Sequence, residues 1–95
     1  MSENPYIEKL RAIKPRFAEM NIKRLRVFGS QVRGDARSDS DIDLLVDFIN
    51  DPTLMTIAHT QNMLEDELGV DVDVCMEDSL IPELKDRILR EAVDV

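Results

Sequence analysis

The segment from Asp41 to Phe48 limits the possible folds of this chain more than any other feature, because apolar and mostly acidic positions alternate along it. A period of two residues is typical of a β-strand, whose successive side chains point to opposite faces. The apolar face consists of Ile42, Leu44 and Val46, and the opposite face consists of Asp41, Asp43, Leu45 and Asp47. The apolar face requires a covering layer, so the segment is predicted to be a central strand that begins with acids.

Before this strand, the pattern is first helical and then extended. Asn4-Pro5 predicts a helix start, and a proline-induced break is expected near Lys14. Leu25 to Phe28 is a short strand candidate. Gly29-Ser30 directly after it predicts a tight turn into a short helix that ends near Gly34.

After the central strand, the pattern becomes helical again. Asp51-Pro52 repeats the helix-start signal, and Gly69 suits the C′ position that ends a helix. The apolar stripe between them consists of Leu54, Ile57, Ala58, Gln61, Leu64 and Leu68. The alternation from Val70 to Cys75 then predicts a third strand, and Ile81-Pro82 opens a last helix.

These signals predict an α/β (α+β) fold in which helices cover a small mixed β-sheet. The 95 residues are expected to form one domain, 1–95, because 43% apolar content supports one modest core and no linker or repeat interrupts the pattern. A domain of this size has no room for a second, substrate-binding domain. Whatever the chain acts on is therefore expected to bring its own binding surface.

Acidic residues outnumber basic ones, and the two kinds are segregated. Twelve Lys and Arg against twenty Asp and Glu give a net charge of −8, which opposes non-specific binding to a nucleic-acid backbone. Residues 38–84 contain thirteen acids and no Lys or Arg, whereas nine of the twelve basic residues lie in 1–37. A solvated face, a metal site or a surface for a basic protein partner would each explain the acidic segment.

The sequence carries no membrane or secretion signal. No apolar run approaches the ~20 residues of a membrane helix, and the charged start from Met1 to Lys14 is unlike a signal peptide. The chain is therefore predicted to be cytoplasmic. Cys75 is the single cysteine and His59 the single histidine, so neither a disulfide within the chain nor a zinc site is expected.

Asp41 and Asp43 are the first candidates for chemistry. Two residues apart on a strand, their carboxylates point to one face, where like charges repel each other unless a cation screens them. Oxygen ligands of this kind suit Mg²⁺ or Mn²⁺, which leave the remaining positions to water and phosphate. A solvated strand end is the alternative. A calcium-binding EF-hand loop beginning at Asp39 is excluded, because Leu44 stands where that loop needs glycine.

Gly29-Ser30 supplies the complementary half of a nucleotide site. Glycine lets a phosphate approach the backbone, and the N–H groups of a helix start and the serine hydroxyl donate to phosphate oxygens. Alone, the two residues indicate an ordinary turn. Ten residues separate Ser30 from Asp41. A phosphate cradle at this distance from a carboxylate pair favours a nucleotide site.

Together these motifs resemble the signature of the DNA polymerase β-type nucleotidyltransferase superfamily. The matching segments are Phe28-Gly29-Ser30, Arg33-Gly34 and the run from Ser40 to Val46. Within that superfamily, the small size and the tail from Val72 to Val93 are similar to the minimal nucleotidyltransferase (MNT) proteins that pair with HEPN ribonuclease toxins. The resemblance implies a polymerase β-like nucleotidyltransferase core from about Leu25 to Val93.

The resemblance also implies a site. The implied nucleotide-binding residues are Gly29, Ser30 and Arg33, and the implied catalytic and metal-binding residues, for two Mg²⁺ ions, are Asp41, Asp43 and Asp73. Asp71 shares a face of the predicted strand with Asp73 and remains the alternative third carboxylate. Arg33 is a candidate phosphate contact, with a helix-end or ion-pair role as the alternative.

The function implied by the resemblance is Mg²⁺-dependent transfer of AMP from ATP to a hydroxyl group, a tyrosine, of a cognate HEPN RNase toxin, so that the chain acts as an antitoxin. Two alternatives stay open. The chain could neutralise the toxin by binding alone, with its acidic segment against a basic RNA-binding cleft. It could also transfer a nucleotide to a small molecule or a nucleic acid.

Overall fold

The structure, a computed structural model, describes residues 5–29 and 41–95, and its elements alternate between helix and strand. The helices are α1 (Pro5–Ile13), α2 (Leu54–Leu68) and α3 (Pro82–Glu91), with 3-10 helices at Lys14–Met20 and Glu77–Ser79. The strands are β1 (Ile22–Phe28), β2 (Ile42–Phe48), β3 (Val72–Cys75) and β4 (Val93–Asp94). The predicted α/β class is confirmed, including the break in the first helix at Lys14.

The four strands form one mixed sheet in the order β3-β2-β1-β4. β1 pairs antiparallel with β2 and with β4, whereas β2 and β3 are parallel. β2 is therefore an inner strand, as its alternation predicted. Because β3 runs in the same direction as β2, the acid-rich beginnings of both strands lie at one edge of the sheet.

One face of the sheet carries the hydrophobic core. Leu44 in β2 is fully buried and packs in one cluster with Leu10 of α1 and Leu64 of α2. The strand residues of this cluster are Ile22, Leu25, Val27, Ile42, Leu44, Val46 and Val72. Since side chains alternate along a strand, Asp43 and Asp73 point to the opposite face. The core thus fixes the orientation of the candidate site.

The second helix begins and is buried differently from its prediction. Thr53, rather than Asp51-Pro52, caps α2, because the Thr53 hydroxyl accepts a hydrogen bond of 3.1 Å from the N–H of Thr56. The fully buried residues are Thr60, Leu64 and Leu68, and Leu54 is 86% exposed. The predicted stripe was therefore wrong at its N-terminal end. Gly69 ends the helix in the left-handed region (φ 73°), as predicted.

A short last strand, β4, was not predicted. Its Asp94 accepts two hydrogen bonds from the guanidinium group of Arg24, at 2.7 and 2.9 Å, and this contact lowers the pKa of Asp94. The next N–H, of Val95, donates to the carbonyl of Leu25 at 3.1 Å. These contacts hold the end of the chain against β1. Within the described residues, no helix is both long and apolar enough to cross a membrane.

Candidate active site

Asp43 and Asp73 lie directly opposite each other on neighbouring strands. They are Cα partners in the parallel ladder between β2 and β3. Strands in a sheet are about 4.8 Å apart, so the two carboxylates start from backbones at that separation and on the same face. Asp41 precedes β2 and shares the face of Asp43 by its spacing. The sheet therefore brings all three predicted carboxylates to one edge.

The charge at this edge affects Cys75, which follows on the same face of β3. Burial is the largest cause that raises the pKa of its thiol, and the negative charges of Asp73 and Asp43 raise it further. Both carboxylates thus contribute to one electrostatic environment. Their hard oxygen atoms suit a magnesium ion. Among residues 5–29 and 41–95, no three His, Cys, Asp or Glu side chains lie close enough to hold an ion, so the metal site stays a prediction.

Asp73 is the predicted third carboxylate, and Asp71 is its alternative. Asp73 lies opposite Asp43, whereas the carbonyl of Asp71 accepts a hydrogen bond of 3.0 Å from the N–H of Ile42, at the beginning of β2. Both side chains are exposed. The ladder favours Asp73 as the partner of Asp43 and leaves Asp71 beside Asp41.

Gly29 packs against the carboxylate of Asp43. Its φ is +79°, and a Cβ atom built on it would collide with Oδ2 of Asp43. A side chain here is therefore excluded both by the backbone conformation and by the space. Glycine at this position leaves space for the Asp43 carboxylate, and the approach of a phosphate to this backbone stays a prediction. Ser30 and Arg33, the other predicted nucleotide-binding residues, lie outside the described residues.

A pocket of about 250 Å³ lies beside Gly29 and Asp43 and is lined on one side by α3. Its lining residues are Phe28, Gly29, Asp43, Leu84, Arg87, Ile88 and Glu91. Glu91 accepts a hydrogen bond of 3.0 Å from the Gly29 N–H, and its other oxygen lies 3.7 Å from Nε of Arg87. The sequence analysis missed both charged residues. Their spacing of four along a helix was a usable signal, since such pairs interact.

Comparison with known proteins confirms the resemblance to nucleotidyltransferases. The family described as Nucleotidyltransferase domain matches residues 10–95. A protein of Methanocaldococcus jannaschii, provisionally named a protein adenylyltransferase, is 44% identical over 85 residues, which are 90% of this chain and 91% of that protein. The protein adenylyltransferase MntA of Thermococcus cleftensis is 43% identical over 74 residues, 78% of this chain and 75% of its own.

Solved structures share the fold. A protein provisionally named a minimal nucleotidyltransferase superposes with a TM-score of 0.82 at 41% identity, covering 100% of this chain and 97% of that one. A chain from the complex of a tri-AMPylated Shewanella oneidensis HEPN toxin with MNT antitoxin has a TM-score of 0.57 at 21% identity, covering 96% of this chain and 66% of that one. The second likeness concerns the fold alone.

Proposed function

Since this chain belongs to the nucleotidyltransferase domain family, we propose that it is a protein adenylyltransferase that transfers AMP from ATP to a hydroxyl group of a partner protein. One observation carries the proposal: Asp43 lies opposite Asp73 in the sheet and against the glycine of the turn at Gly29. Carboxylates for a cation and a backbone turn for phosphate are the two parts that nucleotidyl transfer needs. Asp43, Asp73 and Gly29 are the candidates for these two parts, and they lie together at one edge of the sheet.

Each part has a proposed role. Asp41, Asp43 and Asp73 would hold two Mg²⁺ ions, which would neutralise phosphate charge and make the attacking hydroxyl more acidic. Asp73 accepts the proton of that hydroxyl. Gly29 would let the β- and γ-phosphates approach the backbone, and the Ser30 hydroxyl and the N–H groups after Gly29 would hold them. The protein contributes mainly positioning and charge, because phosphoryl chemistry of this kind needs no covalent intermediate on the chain.

The proposed acceptor is a tyrosine of a cognate HEPN toxin, and the chain is its antitoxin. Relatives that are 43% and 44% identical carry the name protein adenylyltransferase, and a chain of the same fold comes from a complex with an AMPylated HEPN toxin. A protein that presents its own hydroxyl group is the acceptor that these names support.

Asp73→Asn is expected to reduce AMP transfer by about 10²-fold or more, because the third carboxylate is lost from the charge-stabilising site. Asp71→Asn, two residues earlier on the same face, is the matched control and is expected to keep the rate within a few-fold. Initial rates at saturating Mg²⁺ and ATP measure both. A larger loss in Asp71→Asn would exchange the roles assigned to the two residues.

The function itself is tested by mixing the purified chain with the protein encoded beside its gene, Mg²⁺ and ATP. We expect ATP labelled at the α-phosphate to label that protein, and ATP labelled at the γ-phosphate to leave it unlabelled, because AMP is retained and pyrophosphate leaves. Mass spectrometry then identifies the modified side chain. Label from the γ-phosphate would indicate a kinase and contradict the proposal.

The same experiment separates catalysis from neutralisation by binding alone. The acidic segment 38–84, which carries thirteen acids and no Lys or Arg, could contact a basic toxin surface without any transfer. If the wild-type chain forms a complex and silences the toxin but leaves no label, binding is the mechanism. If labelled toxin remains inactive after the chain has been removed, the transferred AMP is sufficient for silencing.

A further inference from the structure

Glu91, the last residue of α3, contacts the turn of the candidate active site directly. Its Oε1 accepts a hydrogen bond of 3.0 Å from the backbone N–H of Gly29. Its Oε2 lies 3.7 Å from Nε of Arg87, one helical turn earlier, and its side chain is only 18% exposed. A carboxylate held by a cation and bonded to a backbone N–H is a well-fixed acceptor.

The pairing of β4 explains why Glu91 reaches Gly29. Val27 of β1 is the Cα partner of Val93 in an antiparallel ladder. In such a ladder, partner numbers rise on one strand as they fall on the other. Two residues beyond Val27 is Gly29, and two residues before Val93 is Glu91. The short last strand therefore brings the end of α3 to the turn.

Neither helix stability nor core packing explains the presence of a glutamate at position 91. A negative charge in the last turn of a helix is unfavourable, because the C-terminal end of the helix already carries partial negative charge. Glu91 also lines the same pocket as Asp43, a second negative group. No residue of α3 is fully buried. The ion pair with Arg87 offsets part of this cost, and the bond to Gly29 is the contact that joins the end of α3 to the turn.

We propose that Glu91 is a positioning residue that holds the Gly29 turn, and so sets the distance between the nucleotide-binding backbone and Asp43. The inference rests on the proposed function. Glu91 does not touch the reacting atoms. It accepts a hydrogen bond from the N–H of Gly29 and so fixes the backbone of the turn beside Asp43, and Arg87 keeps the carboxylate in place. For this role, the hydrogen-bond acceptor oxygen of residue 91 is more important than the negative charge of the side chain.

Three variants test this role: Glu91→Ala, Glu91→Gln, which keeps an acceptor oxygen, and Asp86→Ala as an exposed control on the same helix. Glu91→Ala is expected to raise KM for ATP about tenfold with little change in kcat, because the phosphates are held less well in both ground and transition states. Glu91→Gln should stay within about threefold of wild type, since it restores the hydrogen bond. Asp86→Ala should match wild type.

Amide hydrogen exchange at Gly29 gives a readout that does not depend on activity. The Gly29 N–H is expected to exchange faster in Glu91→Ala than in the wild type, while its exchange in Glu91→Gln and Asp86→Ala stays close to the wild-type rate. A thermal melt checks that every variant is folded. Unchanged exchange at Gly29 in a folded Glu91→Ala variant would overturn the proposal, whether or not the chain proves to be an enzyme.

Two kinetic outcomes would also contradict the proposed role of Glu91. An unchanged KM in Glu91→Ala would remove its role in nucleotide binding, and a lowered KM would mean that Glu91 obstructs the site instead of ordering it. A wild-type chain without nucleotide transfer would instead refute the proposed function. In that case, faster exchange at Gly29 in Glu91→Ala still supports a positioning role for the turn.

Discussion

Asp43→Asn is expected to lower AMP transfer by about 10³-fold or more, the loss that follows when charge stabilisation is removed at a phosphoryl-transfer site. Asparagine keeps the shape of the side chain and removes its negative charge. Asp43 is the common member of the site: it lies opposite Asp73 in the ladder and its carboxylate packs against Gly29. Its loss therefore affects both the proposed cation site and the edge of the phosphate turn.

The matched control for Asp43 is Asp47→Asn on the same face of the same strand. Asp47 lies further along β2, where its carboxylate is 3.5 Å from the guanidinium group of Arg26. We expect transfer by Asp47→Asn to remain within a few-fold of wild type. Radiolabel transfer to the partner protein measures both variants, and circular dichroism confirms that they fold. Equal losses in the two variants would mean that Asp43 acts through general charge and not through a site.

In the absence of metal, Asp43→Asn is expected not to lower the stability of the fold, in contrast to its large effect on transfer. Two like charges directly opposite each other on neighbouring strands destabilise a sheet. Removing the charge of Asp43 is therefore expected to leave the free energy of unfolding in EDTA equal to or above that of the wild type. A variant that is as stable as wild type and yet inactive would place the defect of Asp43→Asn in chemistry.

Gly29→Ala is expected to destabilise the fold and to reduce transfer by about 10²-fold or more, as a misplaced active-site group does. The added Cβ would collide with Oδ2 of Asp43, and φ at Gly29 is +79°. The left-handed conformation alone costs an alanine about 1–2 kcal/mol of unfolding free energy. The collision adds about 1–3 kcal/mol unless the carboxylate moves, and its movement would disturb the site.

Gly69→Ala separates these two costs. Gly69 has nearly the same φ, +73°, but a Cβ on it meets nothing within 4 Å. It should therefore lose about 1–2 kcal/mol of unfolding free energy and keep full transfer activity. Urea unfolding and initial rates measure both variants. If Gly29→Ala loses no more stability and no more activity than Gly69→Ala, the contact between Gly29 and Asp43 has no functional part.

The two predictions test the site in different ways. Asp43→Asn removes a charge and leaves the space unchanged, whereas Gly29→Ala fills space and leaves every charge in place. Glu91→Ala removes a hydrogen bond outside the reacting atoms. A graded result, with the largest loss in Asp43→Asn, would support an electrostatic site whose geometry is maintained by the turn and by α3.

Periodicity in the sequence alone predicts most of the helices and strands of this protein, though not β4. The alternation around Leu44 identified β2 and its direction of burial, and Gly69 marked the end of α2, because these are properties of neighbouring residues in the chain. The same local rules located Gly29, Asp41 and Asp43. They misjudged the beginning of α2, where Thr53 competed successfully with Asp51-Pro52 for the cap.

Tertiary structure decided what no local pattern contains. The spacing of Asp71 and Asp73 gives them the same face, and only the ladder of β3 against β2 makes Asp73 the neighbour of Asp43. Glu91 joins the turn at Gly29 across 62 positions because β4 pairs with β1. Strand register is set by contacts between distant segments. The sequence thus predicted most of the candidate site residues, and the pairing of the strands determined which of them lie next to each other.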